Sequence, residues 1–280
     1  MSLDNAIVRA TAGFGVFGYL TSRLYGSVLD PVYMLNTPVH RPYSSPGGMT
    51  PGPTISIVIP AYNEEENIAK TIRSILSQNI VKKYPEYFEC IVVDNQSTDR
   101  TADIAQKYCQ VISAPRGKLN ARDVGIRHAV GNIIVSCDAD CYYPPNYLNI
   151  LLRHFYNTQV VAVNGVFLLQ GQLTYRIISL WGTLFHNSVK RLWGASSAFR
   201  RDAYFKTGGF DLSVNQFDRL SITTEEEVAF YYRLSQVGFI VHDVHAVCFA
   251  LFRGMGEKVL AEQRSKTTRY TQEVLAGQRF

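Results

Sequence analysis

"ISIVIPAYNEEENIAKTIRSILSQ", residues 55–78, changes its period part-way along. The opening "ISIVIP" is apolar without alternation, the pattern of a strand buried on both faces. Beyond Glu64 the apolar residues Ile68, Ile72, Ile75 and Leu76 recur at helical spacing. Asn63 and Glu66 are placed to cap that helix as a reciprocal pair. A non-alternating strand leading into a helix is the first unit of a parallel sheet sandwiched between helices.

The unit then repeats. Strand "CIVVD" (90–94), helix "TDRTADIAQKY" (98–108), strand "VIS" (111–113), helix "LNARDVGIRHA" (119–129) and strand "NIIVSCD" (132–138) follow in order. The implied fold class is α/β, with a mainly parallel central sheet flanked by helices. Such sheets bind ligands beyond the carboxyl ends of their strands. The chain's polar residues gather there: Asn63 and Glu64 after the first strand, Asp94 after the second, Arg116 and Lys118 after the third, Asp138 and Asp140 after the fourth.

Asp138 and Asp140 stand one residue apart at the end of an apolar run. Carboxylates that close repel each other unless a cation or water intervenes. In an extended segment residues i and i+2 face the same side, so both can address one hard divalent ion, Mg²⁺ or Mn²⁺, which retains waters and phosphate oxygens as its other ligands. Lys118 and Arg122 lie one helical turn apart and offer two cations to a diphosphate, Arg122 as a bidentate fork. Asp94 is an acceptor suited to the imide N–H of uracil. A helix starting at Asn63 would aim its positive end at the same rim.

Upstream, residues 36–53 hold five prolines and three glycines and read as a linker. Residues 10–22 carry no charge over 13 positions. A bilayer span needs about 20, so residues 6–29 read as a docking or interfacial segment that meets a membrane peripherally. From residue 160 the pattern becomes irregular: short strands in "VVAVNGVFLL", an aromatic stretch "LWGTLFHNSVKRLWG", a turn "KTGGFD", and a helix "EEEVAFYYRLSQVG" closed by Gly238. His242 and His245, on a strand after that helix, read as structural histidines. The expected divisions are an extension and linker (1–53), a nucleotide-sugar-binding half (54–160), an acceptor-binding and catalytic half (161–250) and a helical tail (251–280).

With 46% hydrophobic and 18% charged residues among 280, the chain is globular and not disordered. A net charge of +5 suits an anionic small molecule and falls short of a nucleic-acid footprint. The five cysteines are scattered without a C-x-x-C pair, which argues against zinc and for reduced thiols in a cytoplasmic compartment. The N-terminus opens with an acid and lacks a signal-peptide pattern.

"SIVIPAYNEEENI", "CIVVDNQSTDRTADIA", "GKLNARDVGI", "SCDAD", "SAFRRDAYFKTGGFD" and "TEEEVAFYYRLSQVGF" occur in that order over residues 55 to about 240. Together they resemble the family 2 glycosyltransferases of GT-A fold. The resemblance implies a metal-dependent, inverting enzyme that moves a sugar from a nucleotide-sugar donor, a UDP-sugar above all, to a glycan, lipid-carrier or protein acceptor. It places Ala61, Tyr62, Glu64 and Asp94 in the nucleoside pocket, with Lys118 and Arg122 against the nucleotide. Asp140 becomes the metal ligand, and Asp138 contacts the ribose or a metal-bound water. Trp193, Gly209 and Phe210 fall on the acceptor side.

Inverting transfer also needs a base for the acceptor hydroxyl. The run Glu225-Glu226-Glu227 supplies three carboxylates. Relatives carry Glu-Asp seven residues before an Arg-Leu pair; counting back from Arg233-Leu234 reaches Glu226 and Glu227, and makes Glu227 the base. Glu in place of Asp is a departure from the family pattern. Two rivals are a nucleotidyltransferase, against which the acidic "PAYNEEE" argues because no Gly-rich basic loop follows the first strand, and a non-catalytic binding module of the same fold.

Overall fold

The computed structural model describes residues 54–170, 192, 194–212 and 224–251. The elements are β1 (Ile55–Ala61), α1 (Ile68–Leu76), α2 (Asn79–Lys83), β2 (Phe88–Asp94), α3 (Thr101–Ala105), β3 (Gln110–Ser113), α4 (Lys118–His128), β4 (Ile133–Cys137), β5 (Cys141–Tyr142), α5 (Tyr147–Leu152), β6 (Val160–Gln170), β7 (Ser196–Arg200), α6 (Arg201–Lys206), α7 (Thr224–Ser235) and β8 (Phe239–Leu251).

The strands join in one mixed sheet of eight, ordered β3-β2-β1-β4-β7-β6-β8-β5. β3, β2, β1 and β4 run parallel, and the register brings Ala61 beside Asp94 and Asp94 beside Ser113. All four therefore end at one rim. β7 then runs antiparallel to β4, with Ser196 opposite Cys137, so β7 starts where β4 stops. The sheet is thus more mixed than the run of strands before residue 140 suggests.

The missing alternation in these strands has a direct cause. Ile57, Ile59, Val92 and Val135 join one buried cluster with Ile68, Ile72 and Ile75 of α1 and Tyr147 and Leu151 of α5. Val58, Ile91, Val93 and Ile134 join a second cluster, on the other face, with Leu119 and Ile126 of α4, Tyr204 of α6 and Phe230 and Leu234 of α7. Successive side chains feed opposite faces, so most positions are apolar, the buried Ser56 and Ser136 being exceptions. On the second face α4 lies close to the sheet at Gly125, where a Cβ would stand 2.4 Å from Val58 Cγ1.

Four local expectations need correction. The first helix begins at Ile68, with Asn67 as its cap residue; Asn63 has a positive φ of 52° and Glu66 is exposed, so these two form no capping pair. The helix expected over 98–108 is limited to Thr101–Ala105. Residues 160–170 form one strand of 11 residues rather than short pieces. Gly238 is absent from the positive-φ residues; a Cβ there would lie 2.3 Å from Val161 Cγ1, so close approach to β6, not a left-handed cap, explains the glycine.

Residues 1–53, Trp193 and residues 252–280, with the expectations attached to them, lie outside the described residues.

Candidate active site

The loop after β1 is tied to the loop after β2. Amides of Asn63, Glu64 and Glu65 donate to Ser97 Oγ (3.1 Å), Thr101 Oγ1 (2.7 Å) and Asp99 Oδ2 (3.1 Å). Asn63 Oδ1 accepts the Thr98 amide at 2.8 Å in return. The expectation that these N–H groups form an open anion seat at a helix start is therefore corrected: they are consumed within the protein. Ala61 accepts the Asn95 amide at 2.8 Å. Asp94 takes the Ser97 amide at 3.3 Å on each oxygen, long bonds that leave its lone pairs strong enough for a further donor. Glu64, half-buried, accepts from Asn67 Nδ2 at 3.0 Å. Tyr62 lies under Arg116, whose Nη2 donates to the phenol oxygen at 2.6 Å and whose guanidinium carbon sits 4.3 Å from the ring centre.

The acid pair resolves into two unlike carboxylates. Asp138 is clasped by Lys118 Nζ at 2.8 Å and Arg122 Nη2 at 2.7 Å, and its amide donates to Tyr143 Oη at 2.9 Å. Burial favours the neutral acid, but the two cations outweigh it and hold the carboxyl below its ordinary range. Asp140 is raised instead, by burial and then by the charge of Asp138; the Cys141 thiol donates to its Oδ1 at 3.7 Å. The direct ion pairs of Lys118 and Arg122 thus go to Asp138.

This pairing changes the roles expected of the basic residues. Arg122 is 1% exposed, so its fork is directed at Asp138 and not at solvent where a diphosphate would arrive. Lys118 is half-exposed and can reach both. Gly194, just ahead of β7, packs against Arg122: a Cβ would lie 2.3 Å from Nη1. The Gly194 amide donates to Glu227 Oε1 at 3.3 Å, and the charge of Glu227 helps to raise the Lys118 pKa against burial. Asp138, Arg122, Gly194 and Glu227 are therefore contiguous across the seam between β4 and β7.

Glu226, expected among the catalytic carboxylates, turns elsewhere. It accepts Arg233 Nη2 at 2.5 Å and the Asp211 amide at 2.8 Å, while the same Arg233 nitrogen donates to Gly209 O at 2.8 Å. Glu226 thus straps the turn in which Gly208 and Gly209 adopt φ of 84° and 71°. Phe210 is buried in an aromatic cluster, 4.8 Å from Phe230 and 5.2 Å from Tyr204 between ring centres. As a sugar platform it is therefore corrected: its faces are covered. His242 contacts Tyr231 Oη at 3.2 Å, and His245 contacts Asp243 at 3.0 Å, both structural roles.

Among the described residues no group of three or more His, Cys, Asp or Glu could hold a metal; a divalent cation at this rim would have Asp140 as a protein ligand and would take its other ligands from substrate oxygens and water, the pattern usual for Mg²⁺ and Mn²⁺.

The profile of "Glycosyl transferase family 2" matches residues 56–260. The chain belongs to this family. Glycosyltransferase AglE of Haloferax volcanii is 35% identical over 121 residues, 40% of this chain and 39% of the relative. The dolichol-phosphate mannosyltransferase of Pyrococcus furiosus is 31% identical over 126 residues, 42% of this chain and 35% of the relative. The family 2 chain thus spans about two fifths or less of the length of the curated relatives it matches. Among solved structures, the mannosyltransferase PcManGT of Pyrobaculum calidifontis, in complex with GDP-Man and Mn²⁺, superposes with a TM-score of 0.56 at 20% identity, covering 87% of this chain and 66% of that one. The fold of this family 2 member is GT-A.

Sequence reasoning missed Gly194 and Tyr143. Neither carries a local signal, because each matters through a contact made more than 50 residues away: Gly194 with Arg122, Tyr143 with Ala195 O at 2.9 Å.

Proposed function

We propose that this family 2 member transfers a sugar from a nucleotide-sugar to an acceptor hydroxyl or phosphate with inversion, in a metal-dependent reaction. The observation that supports the reading is the asymmetry of the acid pair at the rim: Asp138 is clasped by Lys118 and Arg122, whereas Asp140, its pKa raised by burial and by the charge of Asp138, would gain from a bound cation.

Asp94 would accept the N–H of uracil, or the N1–H of guanine, while Ala61, Tyr62 and Glu64 line the same pocket. Lys118 would bridge Asp138 and the donor diphosphate, and Asp138 would hold the ribose side. A divalent ion bound at Asp140 would supply Lewis-acid stabilisation of the departing diphosphate. Glu227, its carboxylate oriented by the Gly194 amide, would take the proton of an acceptor hydroxyl as its oxygen bonds to the anomeric carbon and the bond to the diphosphate breaks. Trp193 and Gly209 would border the acceptor. Residues 6–29 would hold the protein at a cytosolic membrane face, which suits the lipid-phosphate acceptor named for the Pyrococcus relative.

The test is nucleoside diphosphate release from panels of UDP- and GDP-sugars, with Mn²⁺, Mg²⁺ or a chelator, and with a polyprenyl phosphate or a glycan as acceptor. Release that survives the chelator, or full activity in Asp140→Asn, would overturn the metal role. No release with any donor would leave the non-catalytic binding module as the reading.

A further inference from the structure

The five cysteines are not equivalent. Cys137, Cys141 and Cys248 are buried between 0% and 2% exposure. Cys90 and Cys109 are only half-buried. The parallel ladder between β2 and β3 pairs Ile91 with Gln110, so Cys90 and Cys109 each sit one step ahead of that pair, in register and on the same side. Neighbouring strands lie roughly 4.8 Å apart, inside the Cα separation of about 4.4–6.8 Å that a disulfide accepts. Both side chains pack against the same buried cluster, and the Cys109 thiol donates to Ala105 O at 3.9 Å.

The geometry points to Cys90 and Cys109 as a two-electron redox site, a dithiol that closes to an intramolecular disulfide while the three buried cysteines stay reduced. Among the described residues β3 is an edge strand paired to β2 alone, so Cys109 can approach Cys90 with little resistance from the rest of the sheet. The roles within the pair are unequal. The contact from Cys90 and the Val92 amide hold Cys109 below the usual thiol range against its burial, and the same contact together with burial raises Cys90. Cys109 is thus the attacking thiol and Cys90 the resolving one.

With an oxidised low-molecular-weight disulfide such as glutathione disulfide, the Cys109 thiolate displaces one glutathione thiolate and forms a mixed disulfide. The Cys90 thiolate, its proton lost to solvent, then attacks the Cys109 sulfur and releases the second. Two protein thiols become one disulfide and two glutathione molecules are formed. The closed ring contains Asp94, Ser97, Asp99 and Thr101, the residues that shape the rim beside β1.

The experiment treats the folded full chain with glutathione disulfide, quenches by alkylation and maps peptides by mass spectrometry. Two of the five thiols should disappear, a Cys90–Cys109 linked peptide should form, and dithiothreitol should restore all five. Cys90→Ser should stop at a single glutathione adduct on Cys109, and Cys109→Ser should leave Cys90 free. Five unreacted thiols in the folded wild type, or a linkage that involves Cys137, Cys141 or Cys248, would overturn the assignment. The wild-type map decides even if a variant fails to fold. The outcome is independent of whether the protein transfers sugars.

Discussion

Gly194 and Arg122 share a space that admits no further atom: a Cβ at position 194 would lie 2.3 Å from Nη1 and 2.6 Å from the guanidinium carbon of Arg122. Arg122 is buried and donates to Asp138 Oδ1 at 2.7 Å, so a guanidinium displaced by a Cβ at position 194 would move away from that carboxylate. Gly194→Ala should therefore release Asp138 from Arg122 and shift the amide that orients Glu227. We expect kcat/KM to fall at least about tenfold, roughly 1.4 kcal/mol of transition-state stabilisation, measured as diphosphate release. Unchanged turnover would show that the Arg122–Asp138 pair is not needed.

The neighbouring glutamates should separate by phenotype. Glu227→Gln keeps an acceptor for the Gly194 amide but removes the proposed base, so kcat should fall by about 10²–10⁴-fold with little change in Tm. Glu226→Gln weakens a buried ion pair and the strap on the Gly209 turn, and should lower stability by about 3 kcal/mol with a smaller loss of kcat per folded molecule. Parallel thermal melts and single-donor kinetics distinguish the two.

With a nucleoside diphosphate present to complete its ligand set, a divalent ion should stabilise the protein through Asp140. Burial and the adjacent Asp138 charge disfavour its ionised form, and a bound cation relieves both. At a Mn²⁺ concentration of about 100 times Kd the gain is about 2.7 kcal/mol, read as a rise in Tm that a chelator reverses. Asp140→Asn should lose most of that rise.

Acid should unfold the protein partly through Asp243. Its carboxylate is buried and accepts from His154 Nε2 at 2.7 Å, Arg153 Nη2 at 2.9 Å and the His245 amide at 2.9 Å. Burial would raise its pKa, and these partners outweigh it and lower it far below the ordinary value. The unfolded chain therefore binds this proton at higher pH than the folded one, so the stabilisation is complete above about pH 4 and fades as pH falls below that. Asp243→Asn should cost about 3 kcal/mol near pH 7, and denaturant titrations should show the gap from wild type closing toward pH 2.

The strands before residue 140 were readable because burial on both faces writes itself into the sequence as uninterrupted Val and Ile. Polar residues at their ends then marked the rim, since little else places Asp94, Lys118 and Asp138 after apolar runs. What each rim residue binds was not readable. Arg122 and Lys118 share a helical face in any α4, and only the fold shows that both meet Asp138. Nor could the Glu225–Glu227 run reveal which carboxylate turns to Arg233, because one helical residue's rotation decides it. Phe210 looked like a ligand surface and proved to be core, the ordinary fate of an aromatic beside a glycine turn.

The antiparallel seam between β4 and β7 has a consequence for how such a protein diversifies. Asp138 directly follows one strand and Gly194 stands two residues before the other across the same antiparallel pairing, so the spacing between Asp138 and the Gly194 amide that donates to Glu227 is set by strand register. Register moves only in whole residues. Selection can exchange side chains and lengthen loops around this seam, and so change what is bound, while the distance across which the groups act stays quantised by the sheet.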